Sequence, residues 1–363
     1  MSEDPGSGFK KPMEPSSLLE AIFIFIGSLL FKAIEYLSAF THIFHKSSTP
    51  PKSFSYLPVD VVDSQKPAWK SILVNCLKKG IGIEMNEVSV AYTSSADYDA
   101  MLRYDDFDMI VVRDDFKKVA FDGLTSTIKN PRLKWDYFSV GFGLCDEEDI
   151  MTCYNNIQCI LKPLKHRLSI KKVRLNVLYP SNLLSILPYL KPGFLEYISI
   201  RPHVGTGEEI NWRIDLTGMD QVALLEQWKQ AEVLELENCF DRFPMEFATH
   251  FKRFYIDEEE IEIDTLIRIR DYLSKLQNLE QCTLYSLRFY SNSDVFHEVL
   301  GAPVSSKTTE TIFHHHIPDS DYYLEFTKPT RGCDVEIVKK KREDNRLLRC
   351  VESILLLFSI RSS

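Results

Sequence analysis

The chain has 363 residues, of which 44% are hydrophobic and 26% are charged, and its formal net charge is −9 at pH 7. This hydrophobic content excludes a disordered polymer and is sufficient for one large domain or two ordinary ones. The acidic balance argues against nucleic acid as the main partner, because a phosphate-binding surface normally carries an excess of positive charge.

Eight cysteines are scattered along the chain, without a Cys-x-x-Cys pair and without the dense framework of a small secreted domain. This pattern is typical of free thiols in a reducing compartment. We therefore expect a cytoplasmic or nuclear protein.

The first 80 residues divide into three predicted segments. Residues 1–17 are rich in Pro, Gly, Ser and charge and are predicted to be a disordered lead-in. Residues 18–45 are predicted to form an apolar or amphipathic helix. Residues 46–80 are predicted to be a linker.

The segment 18–44 is the most unusual stretch of the sequence, because Glu20, Lys32 and Glu35 are its only full charges. At 100° per residue these three fall on one side of a helix and most of the large apolar residues on the other. The uncharged run 21–31 is shorter than the roughly 20 residues of a transmembrane helix. Three interpretations stay open: a helix packed on protein, a membrane span or interfacial anchor, and an artefact of gene prediction.

The body of the chain, residues 81–345, alternates β-rich runs with helical ones. Two early strands, 88–92 and 108–112, are predicted to pair as a hairpin. A helix is predicted from Asp115 to Ile128, ending before Asn130-Pro131 because a proline ring disfavours the helical conformation of the residue before it. Six more strands are predicted at 137–142, 173–178, 195–200, 233–237, 254–256 and 282–287.

Helical segments between these strands each offer one apolar stripe, which must pack on a sheet or on other helices. They are predicted at 147–161, 182–190, 220–230, 245–251 and 263–276. A repeated strand-then-helix unit predicts a parallel sheet with right-handed crossovers. We therefore expect an α/β fold, with a leucine-rich-repeat-like strand-helix solenoid as the first choice and an open parallel sheet as the alternative.

The C-terminal part follows a different pattern. Residues 321–326 and 334–339 flank the turn-forming sequence 328–332, which predicts an antiparallel hairpin. Residues 346–363 are predicted to be an apolar tail.

No motif in the chain supports catalysis, so we assign no catalytic, cofactor-binding or metal-binding residue and expect no enzyme. His314, His315 and His316 are adjacent, and strand side chains alternate between faces, so the three cannot all reach one ion. The glycine pairs within 141–143 and 205–207 are too short for a phosphate-binding loop.

Two charged runs have structural explanations. The acidic run 257–260, with Glu262 and Asp264, lacks the glycine and the spacing of an EF-hand. We expect it to be a solvent-exposed segment that leads into a helix and supplies the acids that cap it. The basic run 339–342 fits either a nuclear import signal or the exposed end of an edge strand, where lysines discourage aggregation; we favour the strand end.

Several long phrases of the sequence are more specific than any short motif. They are residues 184–200, 224–236, 243–256 and 315–326, with 120–140 upstream. These phrases resemble the FTH domain, also called domain of unknown function 38, and the region before it in nematode F-box proteins. The resemblance covers roughly residues 84–342.

The apolar residues of these phrases are predicted to be core and not a binding site. They are Leu184, Ile186, Leu187, Leu190, Leu195 and Ile198, and one unit later Leu225, Trp228 and Leu234.

In proteins of that family an F-box docks on the Skp adaptor of a cullin ubiquitin ligase, and the FTH domain receives the target. The resemblance therefore implies a non-enzymatic protein–protein interaction module with a protein partner or ubiquitination target. Here the only F-box-like opening is at 57–62, with too little chain after it for a three-helix F-box, so the F-box is degenerate or missing and residues 46–80 hold at most a possible F-box remnant. The alternatives are a ligase adaptor acting through a degenerate F-box and an interaction protein attached to a membrane through 18–44.

Overall fold

A computed structural model of the chain describes residues 69–86, 88–95, 98–104, 108–112, 115–143, 145–204, 212–286, 294–330 and 332–342. The predictions for residues 1–17, 18–45, 57–62 and 346–363 fall outside the described residues. None of the helices within the described ranges is long and apolar enough to cross a membrane.

The described residues form a sheet of sixteen strands. In chain order they are β1 (Trp69–Leu77), β2 (Gly80–Met85), β3 (Val88–Ser95), β4 (Tyr98–Tyr104), β5 (Asp108–Val112), β6 (Lys134–Phe142), β7 (Ser169–Val177), β8 (Tyr197–Val204), β9 (Trp212–Arg213), β10 (Val233–Glu237), β11 (Arg253–Asp257), β12 (Gln281–Tyr285), β13 (Ser305–Ser306), β14 (Glu310–His316), β15 (Tyr322–Pro329) and β16 (Asp334–Lys341).

Seven strands form a parallel block at the centre of this sheet. They lie side by side in the order β1, β6, β7, β8, β10, β11 and β12, and each neighbouring pair is parallel. Antiparallel strands β2 to β5 continue the sheet beyond β1, and β16, β15, β14 and β13 continue it beyond β12. The prediction of an α/β fold with a large parallel sheet and a C-terminal antiparallel hairpin is confirmed.

Seven α-helices occur among the described residues: α1 (Phe116–Ile128), α2 (Glu147–Leu161), α3 (Pro180–Leu184), α4 (Met219–Ala223), α5 (Glu226–Gln230), α6 (Ile263–Lys275) and α7 (Asp294–Leu300). The long helices α1, α2 and α6 confirm their predictions. Both α1 and α2 begin at an aspartate cap. The Asp115 carboxylate accepts a hydrogen bond from the Lys117 amide, and the Asp146 carboxylate accepts one from the Asp149 amide.

Three predicted helices are wrong in length or type. The helix predicted at 182–190 is the short α3 followed by a 3₁₀ turn, Leu187–Tyr189, because the ring of Pro188 would clash with the Leu184 carbonyl in a continuous helix. The segment 220–230 is split into α4 and α5. The segment 245–251 contains a 3₁₀ turn, Met245–Ala248.

The split between α4 and α5 has a packing reason. Val222 and Trp228 are both fully buried. In one continuous helix they would point about 120° apart, given 100° per residue. The extended backbone of Leu225 lets both side chains enter the same core.

The predicted early hairpin is also wrong. Strands β3 and β5 do not pair with each other, because β4 lies between them and pairs with both. The sequence of β4 alternates poorly, because Met101 stands two residues from both Asp99 and Arg103, so the period-2 signal is weak. Strand β1 lies within residues 46–80, for which the sequence predicted a linker and a possible F-box remnant, and it pairs with β2 and β6.

The two faces of the parallel block differ in polarity. One face carries buried apolar side chains, such as Val173, Ile198, Leu234 and Phe254, which join the buried residues of the helices in a single hydrophobic core. Seven of the nine predicted core residues are buried, whereas Leu184 and Leu225 are partly buried against the same core. The opposite face of the block is polar.

Candidate functional site

The polar surface of the parallel block is the candidate functional site, and we call it the open face. Side chains alternate between the two faces of a strand, so the residues between the buried apolar ones emerge here. Strand register places them in three rows: Lys172, Tyr197, Val233, Arg253 and Gln281; then Arg174, Ser199, Glu235, Tyr255, Thr283 and Glu336; then Asn176, Arg201, Glu237, Asp257, Tyr285 and Asp334.

A hydrogen-bonded ion pair orders the middle row. One Arg174 guanidinium nitrogen lies 3.1 Å from both carboxylate oxygens of Glu235, and Arg174 Nε donates to Ser199 Oγ at 3.3 Å. The Tyr197 hydroxyl donates to Glu235 Oε2 at 2.8 Å. Burial alone would raise the pKa of Glu235, but hydrogen bonds from Ser199 and Tyr197 and the charge of Arg174 lower it.

The row at the carboxyl ends of the strands is acidic. Arg201 pairs with Glu237. Asp257 lies opposite Glu237 in the register, and burial, followed by the charges of Glu237 and Glu235, raises the pKa of Asp257 to about 6. Within the described part of the chain no hydrogen bond reaches the Asp257 carboxylate. Among the described residues, the charges of Arg201 and Arg174 oppose this rise, so they compensate the negative charge of Asp257 only in part.

Two tyrosines project from the open face beside this acidic row. Tyr255 and Tyr285 are each 38% exposed, and the rings of Tyr255 and Tyr197 lie 6.0 Å apart. Exposed tyrosines that are anchored on a rigid sheet lose little conformational entropy on binding, and tyrosine is enriched in the energetic centres of protein interfaces. The arrangement can bind a protein surface through aromatic and charged contacts.

A cavity of about 230 Å³ lies just beyond the carboxyl ends of β10 and β11. It is lined by Asn238, Cys239, Asp241, Arg242, Glu258, Glu259 and Glu260. The Glu258 carboxylate accepts a hydrogen bond from the Phe240 amide at 2.8 Å. Burial raises the pKa of Glu258 to about 7, against the lowering effect of backbone hydrogen bonds from Phe240 and Cys239.

The expectation of solvated, helix-capping acids in this segment is partly wrong. Glu259 and Glu260 are exposed, but Asp257 and Glu258 are partly buried. Glu262 occupies the N-cap position of α6 without a capping hydrogen bond from its side chain, and Asp264 lies in the first turn. The sequence did not reveal the acidic row, because its members come from different strands that only the sheet register brings together.

We expect Glu258 to make the stability of the protein depend on pH. A free glutamate titrates near 4.3, so between about pH 4.5 and 7 the folded state binds more protons than the unfolded state. Stability should therefore fall as the pH rises through this window, by on the order of 1–3 kcal/mol. Asp257 contributes in the same direction.

The substitution Glu258→Gln should flatten this pH dependence, which urea unfolding at pH 5 and pH 7.5 would measure. The control is Glu148→Gln, which removes the same charge from an exposed position on α2. If the free energy of unfolding changed equally between pH 5 and pH 7.5 in wild type and in Glu258→Gln, Glu258 would not be the group responsible.

The histidine run lies on β14, where its side chains alternate. His314 and His316 project toward the open-face side, whereas His315 lies opposite Leu324 on the core side. His314 Nε2 is 3.2 Å from Glu325 Oε2, and Lys340 pairs with the other Glu325 oxygen at 2.6 Å. In the described residues no group of three or more His, Cys, Asp or Glu side chains could hold a metal ion.

The remaining predicted motifs have these positions. A Cβ on Gly141 would meet Asn75 Oδ1 at 2.8 Å, so this glycine leaves room for the Asn75 side chain of β1. Residues 205–207 lie outside the described residues. The basic run 339–342 is the end of β16 and its flank, but the predicted edge position is wrong, because β16 pairs with both β12 and β15. Lys339 Nζ donates to the Leu276 carbonyl at 2.6 Å.

Residues 151–303 match the FTH domain family. This range begins in α2 and includes strands β7 to β12, and it therefore contains most of the open face. The match confirms the FTH resemblance of the phrases at 184–200, 224–236 and 243–256. Neither the curated proteins nor the solved structures gave a match to the chain.

Proposed function

We propose that this chain is a non-enzymatic protein-interaction module that binds its partner on the open face. The partner presents arginine or lysine side chains to the acidic row beside Tyr255 and Tyr285. The observation that carries this proposal is the partly compensated carboxylate of Asp257 next to two exposed tyrosines. The FTH match supports an interaction module in general.

Charge complementarity decides the chemistry of the partner. The carboxyl-end row contains Glu237, Asp257 and Asp334 against a single arginine, Arg201. The chain as a whole carries a net charge of −9, which attracts a basic partner over distance and raises the association rate. A cationic side chain near Asp257 would supply the charge that the open face lacks.

The exposed tyrosines add a second attraction for the same side chains. An arginine or lysine placed over a tyrosine ring gains about 0.5–2 kcal/mol, depending on how far it is removed from water. The face uses this contact internally, since Lys172 Nζ lies 5.4 Å from the centre of the Tyr197 ring. Tyr255 and Tyr285 can offer the same contact to a partner.

The ordered middle row reduces the cost of binding. The contacts among Arg174, Glu235, Tyr197 and Ser199 fix these side chains before a partner arrives. A preordered surface loses less entropy on association than a flexible one. The open face is therefore suited to rigid docking.

The order of the parallel strands supports the solenoid interpretation over the open-sheet alternative. Each parallel strand lies beside the next one in the chain, whereas a doubly wound sheet reverses its strand order at a switch point. Solenoids bind partners on their extended surfaces, with specificity in exposed side chains. The open face is an extended surface of this kind, with polar side chains from successive parallel strands.

Selection from a random peptide library on the full-length chain tests the proposal. We expect the bound peptides to be enriched in arginine and lysine, and their affinity to fall steeply with salt because the contacts are partly exposed. Enrichment of acidic or purely apolar peptides, or binding that does not respond to salt, would refute the proposed partner chemistry.

The pH dependence of binding provides a further prediction. Asp257 becomes protonated below about pH 6, so the affinity for a selected histidine-free basic peptide should fall between pH 7.5 and pH 5.5. The variant Asp257→Asn should bind more weakly at pH 7.5 and lose most of this pH dependence. A variant that keeps the wild-type pH profile in isothermal titration would exclude Asp257 as the responsible group.

The FTH resemblance also favours a more specific role, that of a target-binding adaptor of a cullin ubiquitin ligase. In this proposal the open face receives the ubiquitination target and a degenerate F-box at 57–62 recruits the Skp adaptor. Co-purification of the full chain with purified Skp adaptor is the direct test. Binding at background level would remove the ligase role and leave the interaction module intact.

A further inference from the structure

Two buried cysteines from distant parts of the sequence lie unusually close together. Cys76 is near the end of β1 and Cys153 is in the middle of α2, and both are buried. Their Sγ atoms are 2.7 Å apart. Non-bonded heavy atoms make their best contacts at about 3.5–4.0 Å, and a disulfide bond is about 2.05 Å long.

The surroundings of this pair contain a third thiol. Cys145 Sγ donates to the backbone carbonyl of Cys76 at 3.3 Å. The hydrogen bond with Cys153, together with burial, raises the pKa of Cys76, and burial raises the pKa of Cys145 to about 12. The raised pKa values keep the Cys76 and Cys145 thiols protonated in the folded protein, and both react slowly because the thiolate is the nucleophile.

We propose that Cys76 and Cys153 form a redox-dependent disulfide that fastens β1 to α2. The bond forms in the presence of glutathione disulfide, either while the chain folds or while the folded chain opens transiently. One protein thiolate attacks glutathione disulfide and releases the first glutathione thiol. The second protein thiolate attacks the resulting mixed disulfide and releases the second glutathione thiol, so two protein thiols are oxidised while one glutathione disulfide is reduced.

The position of the crosslink gives it a structural consequence. Strand β1 is the member of the parallel block next to which the antiparallel strands β2 to β5 continue the sheet. The chain between Cys76 and Cys153 includes β2 to β6 and α1, which is a long loop. Closing a long loop restricts the unfolded chain strongly, so the oxidised protein should unfold about 5 °C higher than the reduced protein.

Thiol counting on the full-length chain tests this proposal. The protein is refolded either with glutathione disulfide or with dithiothreitol, quenched in acid, denatured and alkylated with N-ethylmaleimide. We expect the monomeric oxidised protein to carry two alkyl groups fewer than the reduced protein, and peptide mapping to link the Cys76 and Cys153 peptides.

Three serine variants complete the experiment. Cys76→Ser and Cys153→Ser should each abolish the link and the melting difference between oxidised and reduced protein. Cys282→Ser, at a buried cysteine on β12, should keep both. Equal alkylation of the oxidised and reduced wild type, or a map that joins Cys76 to Cys145, would overturn the proposal without depending on any variant.

Discussion

Replacing Trp228 with alanine is expected to lower the free energy of unfolding by about 3–5 kcal/mol, the usual cost of deleting a large buried aromatic side chain. Trp228 is fully buried on α5. Its ring stacks on Phe243 at 6.3 Å and meets Phe251 edge-on at 5.1 Å. Its indole nitrogen donates to the Phe247 carbonyl at 2.8 Å, so the substitution also leaves a carbonyl without its partner.

Urea unfolding followed by far-ultraviolet circular dichroism would measure this loss without relying on tryptophan fluorescence. The control is Leu224→Ala, four residues upstream at a position that is 70% exposed, which should change stability by less than about 0.5 kcal/mol. Similar losses for the two variants would show that α5 does not anchor this part of the core.

Replacing Asn182 with alanine is expected to cost about 2–4 kcal/mol, because two buried or half-buried amides would lose their acceptor. Asn182 is fully buried after β7. Its Oδ1 accepts hydrogen bonds from the Leu178 amide at 2.9 Å and the Tyr179 amide at 3.0 Å. These bonds shape the turn from β7 into α3.

The matched control for Asn182 is Asn155→Ala on the exposed side of α2. Alanine is a better helix former than asparagine, so this control should be neutral or slightly stabilising. The difference between the free energies of unfolding of the two variants in urea gives the cost of the two lost hydrogen bonds. A difference below about 1 kcal/mol would mean that water satisfies both amides in the variant.

The sequence was sufficient to predict the elements whose local signals agree with their surroundings. Helices α1 and α2 begin at aspartate caps and carry one apolar stripe each, and β10 was predicted with its observed bounds. The predicted helix at 182–190 missed the break after α3, although Pro188 excludes a continuous helix there. The break between α4 and α5 has no such signal in the sequence, because only tertiary packing requires both Val222 and Trp228 to be buried.

The open face illustrates why a binding surface is harder to predict than a core. In the sequence Asp257 is part of an acidic run, and its neighbours along the chain suggested a solvent-exposed segment that leads into a helix. Its relevant neighbours are Glu237 and Tyr285, on adjacent strands. Their distance in sequence hides this relation, and only the register of the sheet reveals it.

The central claim, that the open face binds a cationic partner, is tested most directly by the affinity of one selected arginine-containing peptide for two tyrosine variants. The double variant Tyr255→Ala/Tyr285→Ala changes the open face. The variant Tyr322→Ala removes a tyrosine of similar exposure, 40%, from β15 on the core side of the sheet. We predict a loss of about tenfold or more for the double variant and less than about twofold for Tyr322→Ala. An unchanged affinity of the double variant, or an equal loss in both, would contradict the claim.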